Sequence, residues 1–242
     1  MALPGIEASI LIDQFEFGGS TSGIETTISV TEGDYTNLAS SGQESEPILP
    51  KMLLSMSGYF DGVGAGKLEE ELKARLATAG VVVTALYGKS QTYAPCYMLD
   101  RAYGQQIQIA TPVAGLATVQ GNWTEGSKGY RGWKVLRATI STTGVQTGVD
   151  FVTAGTNGGM AVLHVKAITG TATNATLVVQ SAAQSNYSDA VTEGTFTFSA
   201  VGGYRVPLSG AIGRYIRVNV TSMGGATNFA VVAAVAVDGV TY

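Results

Sequence analysis

The stretch that decides the fold reads Gly66-Lys-Leu-Glu-Glu-Glu-Leu-Lys-Ala-Arg-Leu-Ala-Thr-Ala-Gly80. Here the apolar spacing is helical: Leu68, Leu72 and Leu76 recur every four residues and share one face. Glu69 with Lys73 and Glu71 with Arg75 are i,i+4 pairs in the favourable order on the other faces. Acids open the segment, bases follow, and Gly80 closes it, as the helix dipole and the C-terminal cap prefer. The spacing predicts one helix near 66–79. A lone amphipathic helix of this length is marginal in water, so its leucine face must lie on the flanking strands. Everything around it is patterned as strand and turn. The fold class is therefore mainly β. Residues 1–148 are expected to form a β-sandwich or barrel with a single packed helix.

On the N-terminal side, Met52, Leu54, Met56 and Gly58 fall on one face of a strand ending near Phe60. Between that strand and the helix lies Asp61-Gly-Val-Gly-Ala-Gly-Lys67, which superficially resembles a phosphate-binding loop. The Walker pattern requires glycine where Asp61 stands and a hydroxyl residue where Leu68 stands, so that reading is rejected. Further upstream, Ile6–Phe17 and Ile24–Val30 alternate as strands. Between Val30 and Lys51 the chain turns polar and acidic, and 31–50 is read as a long loop. Loops that long in a compact domain are uncommon and are functional or disordered. Two readings stand side by side: a floppy surface loop, or an arm that orders against a neighbouring subunit. In the second, Glu32, Asp34, Tyr35, Glu44, Glu46 and Pro47 are the expected subunit-interface residues.

On the C-terminal side, Val81–Tyr87 is a β-branched run typical of a buried strand. Tyr93–Tyr103, Gln105–Val113, Leu116–Trp123 and Trp133–Thr142 follow as strands. Composition shifts at Ser141–Gly148, which is read as a linker. Beyond it, short strands recur at regular spacing, so residues 149–242 are predicted to be a β-sandwich of jelly-roll or immunoglobulin-like type. In Arg214-Tyr-Ile-Arg-Val-Asn-Val220, Ile216, Val218 and Val220 face one way and Tyr215, Arg217 and Asn219 the other.

Bulk composition narrows the function classes. Of 242 residues, 45% are hydrophobic and only 13% charged, against roughly 25% charged in an ordinary soluble domain. A free monomer of this size has a large surface to solvate, so much of that surface is expected to be buried against copies of itself or a partner. The net charge of −4 is unevenly spread. Through Gly64, nine acids face one base; from Ala65 to Gly148, five acids face nine bases; thereafter four meet four. The first two segments are complementary in sign. That can mean neutralisation within one subunit or a preferred head-to-tail register between subunits.

The sequence carries no pattern that marks out a catalytic or metal-binding constellation. The single histidine, His164, sits in Val162-Leu-His-Val165, where a packed or surface role is the default. The single cysteine, Cys96, lies in an apolar run and reads as a buried, inert thiol; no intrachain disulfide is possible. One histidine and one cysteine exclude the common zinc frameworks. No nucleophile elbow, EF-hand or singled-out carboxylate pair occurs. No cofactor is expected, and the chain is not read as an enzyme. The N-terminus lacks the pattern of a secretory signal. The longest apolar run, Phe229–Val237, falls far short of the roughly 20 residues a membrane helix needs.

The order of these segments resembles a family. The opening strands, the acidic 31–50 stretch, Lys51-Met-Leu-Leu-Ser-Met-Ser-Gly-Tyr-Phe-Asp-Gly62 and one helix before further strands are similar to a major tail tube protein of a long-tailed, siphovirus-type bacteriophage. Val162–Val165, Ala175–Ser181, Gly213–Asn219 and Asn228–Val237 resemble the sandwich that often ends such proteins. The resemblance implies a structural virion protein, assembled in the host cytoplasm, whose copies form stacked rings, often hexameric. Its partners would be itself, other tail proteins at the tube ends, and DNA passing through without specific binding, with no membrane. The alternative is a carbohydrate-binding, adhesive or decoration module of a virion. In that case residues 149–242 make a weak glycan contact through Tyr187, Tyr204 and Tyr215.

Overall fold

The computed structural model describes residues 7–19, 21–34, 45–62, 64, 66–91, 93–112, 115–125 and 129–238, with 31–34 and 45–50 described by their backbone alone. In chain order the elements are β1 (Ala8–Ile12), β2 (Phe15–Phe17), β3 (Thr21–Asp34), β4 (Ser45–Tyr59), α1 (Leu68–Ala74), β5 (Val81–Tyr87), β6 (Pro95–Ala110), β7 (Thr118–Thr124) and β8 (Tyr130–Ile140). There follow β9 (Gly144–Val145), β10 (Val149–Asp150), β11 (Gly159–Gly170), β12 (Ala175–Ala182), β13 (Val191–Phe198), β14 (Gly202–Leu208), β15 (Tyr215–Ser222) and β16 (Ala226–Val237). The fold is mainly β, as the sequence predicts.

The chain divides into two compact units, and the division does not fall at 148/149. The large unit holds Met1–Gly19, Val81–Asp100 and Tyr130–Tyr242; the small unit holds Ser20–Gly80 and Arg101–Gly129. The expected linker contains β9, which pairs with β15. Strand β16 pairs with β8 on one edge and β11 on the other. The cause lies in β16 itself, which is apolar on both faces over Phe229–Val237. Such a strand needs neighbours on both edges and cover on both faces, and β8 and β11 supply the edges.

In the large unit one antiparallel sheet runs β14-β11-β16-β8-β6-β5-β1-β2, with β6 entering through Pro95–Asp100. A second sheet runs β10-β15-β12-β13, with β9 also on β15. The core between them takes alternate residues: Ala161, Leu163 and Val165 of β11, and Phe229, Val231, Ala233 and Val235 of β16. These meet Leu177, Val179, Phe196, Phe198, Ile216, Val218 and Val220 from the second sheet. The apolar face read from Ile216, Val218 and Val220 is thus the buried one. Phe229 and Phe198 pack edge-to-face with ring centroids 5.3 Å apart.

The first sheet is strongly curled. Strands β11 and β5 are four steps apart in its order, about 19 Å if the sheet were flat. Yet His164 Nε2 of β11 lies 2.8 Å from Thr84 Oγ1 of β5. Curling brings Leu11, Val82, Leu86, Met98, Met160, Val162, Val232 and Ala234 together as an inner core. Gly203 permits the close approach: a Cβ there would stand 2.7 Å from both Val82 Cβ and Asp13 Oδ1. The strand path ends at β14 and β2 without closing, so the barrel form of the expectation is replaced by an open, rolled sheet.

The helix is shorter than 66–79. Leu68 and Leu72 are buried, but Leu76 is 44% exposed and makes a parallel bridge to Gly104. The stripe breaks because Arg75 terminates the helix, its Nη1 donating to Glu71 O at 3.1 Å and Glu71 Oε2 at 2.6 Å. The Ala77 backbone is left-handed, with φ at 58°. The Glu69–Lys73 and Glu71–Arg75 pairs both form, yet Glu69 and Glu71 are themselves buried. Glu71 Oε1 also accepts the Gly66 N–H at 2.8 Å.

Candidate functional site

The small unit is built on the strand order β3-β4-β7-β6, all antiparallel. Register fixes its two faces. Met52, Leu54 and Met56 of β4 stand beside Val119, Gly121 and Trp123 of β7, and α1 covers this apolar face. Gly121 leaves room for the helix, since a Cβ would lie 3.1 Å from both methyls of Leu72. Asp61 Oδ1 accepts the Leu68 N–H at 3.0 Å, so a carboxylate occupies the helix N-terminus where a phosphate loop would hold its anion.

The opposite face is polar and nearly uncharged. Glu25 and Thr27 of β3 pair with Ser55 and Leu53 of β4; Ser55 and Ser57 pair with Asn122 and Gln120 of β7; these pair with Gln106 and Gln108 of β6. A groove of about 420 Å³ runs here, lined by Glu25, Ser55, Ser57, Gln120 and Asn122 among others. Lys51 lies on this face opposite Ser29, nearer the far end of the hairpin.

Both edges of this sheet lack a strand partner among the described residues. Strand β3 is 14 residues long and pairs with β4 alone. Residues Gln106–Ala110 of β6 pair with β7 alone. Exposed β-branched side chains flank both edges: Ile28 at 57% and Val30 at 53% on β3, Ile109 at 46% on β6. Neither edge carries lysine, arginine or proline between Thr21 and Asp34 or between Gln105 and Ala110; the charges there are the carboxylates of Glu25, Glu32 and Asp34 on β3.

Where it is described, at 31–34 and 45–50, the acidic stretch is strand rather than loop. Strands β3 and β4 continue into it, with Val30 opposite Pro50, Glu32 opposite Pro47, Gly33 opposite Glu46 and Asp34 opposite Ser45. Strand β7 pairs with β4 only over Leu53–Tyr59, which leaves the outer hairpin two-stranded. Of the expected interface residues, Glu32, Asp34, Glu46 and Pro47 lie in this hairpin, their side chains outside the described atoms. Tyr35 and Glu44 lie outside the described residues. The β6 edge was not singled out as an interface, although the Gln-Ile-Gln-Ile alternation marks it as half-wet.

Three solved structures are similar to this chain. A chain of the virion of a native gene transfer agent particle matches with 13% identity and a TM-score of 0.39, covering 53% of this chain and 97% of that one. The Dit protein of phage SPP1, described as a paradigm of the hub adsorption apparatus in phages infecting Gram-positive bacteria, matches with 10% identity and a TM-score of 0.35, covering 95% and 98%. A chain of infectious bursal disease virus, Gx strain, matches with 11% identity and a TM-score of 0.20, covering 100% and 70%. No family model and no curated protein matches the sequence.

The remaining candidates lie in the large unit. His164 is fully buried; its Nδ1 donates to the Asp13 carbonyl at 2.7 Å and its Nε2 accepts from Thr84 Oγ1 at 2.8 Å. Burial pushes the imidazole pKa down to about 4. Cys96 is buried, and burial pushes its thiol far up. Tyr187 and Tyr215 meet edge-to-face at 6.4 Å, but Tyr204 packs on Phe198 and donates its hydroxyl to Ala200 O at 2.8 Å. Arg217 stacks over Tyr187 at 4.3 Å, and Arg214 over Tyr215 at 5.2 Å while gripping both oxygens of Asp150 at 2.6 Å. The expected aromatic cluster is therefore a pair, with one face of each ring taken by an arginine. Among the described residues no group of three or more His, Cys, Asp or Glu could hold a metal ion, and no helix is long and apolar enough to cross a membrane.

Proposed function

We propose that this chain is a structural subunit of a phage virion, a tail tube protein whose copies join through the open edges of the small unit's sheet into stacked rings. The observation that carries the reading is the pair of open strand edges, β3 and Gln106–Ala110 of β6, without a strand partner among the described residues, on one four-stranded sheet. An edge of that length with exposed β-branched residues is a template for another chain. The two edges differ, so pairing of one with the other is head-to-tail and closes into a ring or runs on as a filament. The faces fit the same role. One is sealed by α1; the other offers Ser, Thr, Asn and Gln with Glu25, which gives passing DNA no row of cations to bind. A non-catalytic role agrees with His164 and Cys96, both consumed by the core.

The test is the assembly state of purified full-length protein, by sedimentation and negative-stain microscopy. Rings or tubes are expected, and Ile28→Lys with Val30→Lys should leave a folded protein that no longer assembles. Monomers alone at high concentration across salt conditions would sink the proposal.

A further inference from the structure

The large unit carries a cleft of about 510 Å³ whose walls include Lys89, Ser90, Lys134, Arg137, Gln146 and Thr147. The Lys134 side chain is buried, its Nζ donating to the carbonyls of Lys89, at 2.8 Å, and Gln91. That ammonium is thereby anchored to the turn that forms the rim. The local charges do not cancel. Arg137 and Lys166 share the single carboxylate of Glu16, at 2.7 and 2.6 Å. Glu7 spends its carboxylate on the hydroxyl and the backbone N–H of Ser90. Three cations, Lys89, Lys134 and Arg137, thus line the cleft, and no carboxylate does among the described residues. Lys89 Nζ makes no ion pair with any described residue. The amide of Gln146 and the hydroxyl of Thr147 complete a wall suited to carboxylate oxygens.

The small unit holds the opposite surplus. Glu32, Asp34, Glu44 and Glu46 occur with no base between Thr31 and Pro50. The hairpin bearing Glu32, Asp34 and Glu46 continues past the last β4–β7 pair, Leu53–Thr124, to the Asp34–Ser45 pair. That is seven residues of two-stranded ribbon beyond Thr27, from Ile28 to Asp34, about 23 Å. A two-stranded ribbon on its own is marginally stable and gains from a surface to lie on.

We propose that the Lys89–Lys134–Arg137 cleft receives the acidic β3–β4 ribbon of a second copy of this chain. This rests on the self-assembly reading above and deepens it: edge pairing closes each ring, while ribbon-to-cleft docking joins one copy to a further one and sets which copy it meets. Charge complementarity of this kind governs register and encounter rate more than raw affinity.

The experiment is a charge swap in the full-length chain. One variant carries Glu32→Lys, Asp34→Lys and Glu46→Lys; a second carries Lys89→Glu and Gln91→Glu; a third combines all five. Circular dichroism and thermal unfolding establish that each folds. The concentration needed for assembly, read by sedimentation, should rise about tenfold or more in each of the first two, the effect of losing roughly one charge-assisted contact. It should return to within about threefold of wild type in the third. Wild-type protein that assembles while the single-side variants assemble equally well overturns the docking and leaves edge pairing standing. Failure of the combined variant to recover overturns it as well. Recovery of thermal stability in the combined variant below the assembly concentration shows the contact to lie within one chain, which also overturns it. Wild-type protein that never assembles overturns both proposals.

Discussion

Lowering the pH from 7 to 5 should weaken the large unit through one residue, His164. The imidazole is fully buried in the rolled sheet and holds its proton on Nδ1, facing the Asp13 carbonyl. Its pKa falls from an ordinary 6.5 to about 4, chiefly through burial; the hydrogen bond to Asp13 and the charges of Asp13 and Glu16 oppose the fall, and Lys166 adds to it. Because the folded value lies below the unfolded one, the unfolded chain binds the proton first. The stability is fully present above pH 6.5 and is lost as pH drops through the window from 6.5 to 4. The whole shift is worth about 3 kcal/mol, and the part developed between pH 7 and 5 is about 2 kcal/mol. Glu16 does not intrude on that range. Burial works to raise its carboxyl, but the hydrogen bonds from Lys166 and Arg137 outweigh it and hold the pKa below the ordinary 4.5. Its contribution is lost only as pH falls below that value. The assay is urea unfolding at pH 7, 6 and 5 in the non-assembling Ile28→Lys/Val30→Lys background, so that association does not enter the stability. The same series is run with His164→Asn added, which keeps a donor for the Asp13 carbonyl and removes the titration. The His164 protein should lose about 2 kcal/mol more than the asparagine variant between pH 7 and 5. Equal losses in the two proteins would refute the reasoning.

Three further outcomes follow from the packing. Phe229→Ala empties a fully buried site against Phe198 and should cost about 3–5 kcal/mol in denaturant unfolding. Asp61→Ala removes the acceptor of the Leu68 N–H and should cost about 1 kcal/mol, measured in the same way, without altering assembly. Cys96, buried and with its thiol pushed far up by burial, should resist a thiol reagent in native protein at pH 8 and react promptly in denaturant; rapid native labelling would contradict the burial.

Much of the local structure was legible. Helix α1 announced itself through Leu68 and Leu72, and the Met52/Leu54/Met56 and Ile216/Val218/Val220 faces through strict alternation, because a half-buried element must separate apolar from polar at its own period. The burial of Cys96 was also readable from its apolar run, whereas His164 could be read only as packed or surface, and its full burial came from the structure. At 31–34 and 45–50 the structure has strand where the sequence reads as loop, because a two-stranded ribbon need not separate apolar from polar at a strand's period, and its prolines and glycine look like breakers.

Sequence alone determined that this is a β protein with a single short helix, a low charge content and acids gathered near its start. Those are local or additive properties, and composition and periodicity carry them directly. Only the tertiary structure decided that β16 inserts between β8 and β11, that the sheet rolls until His164 meets Thr84, and that β3 and the end of β6 are left as edges. Strand pairing joins residues far apart in the chain through backbone groups that every sequence shares, so the choice of edge is settled by how all the faces can be covered at once.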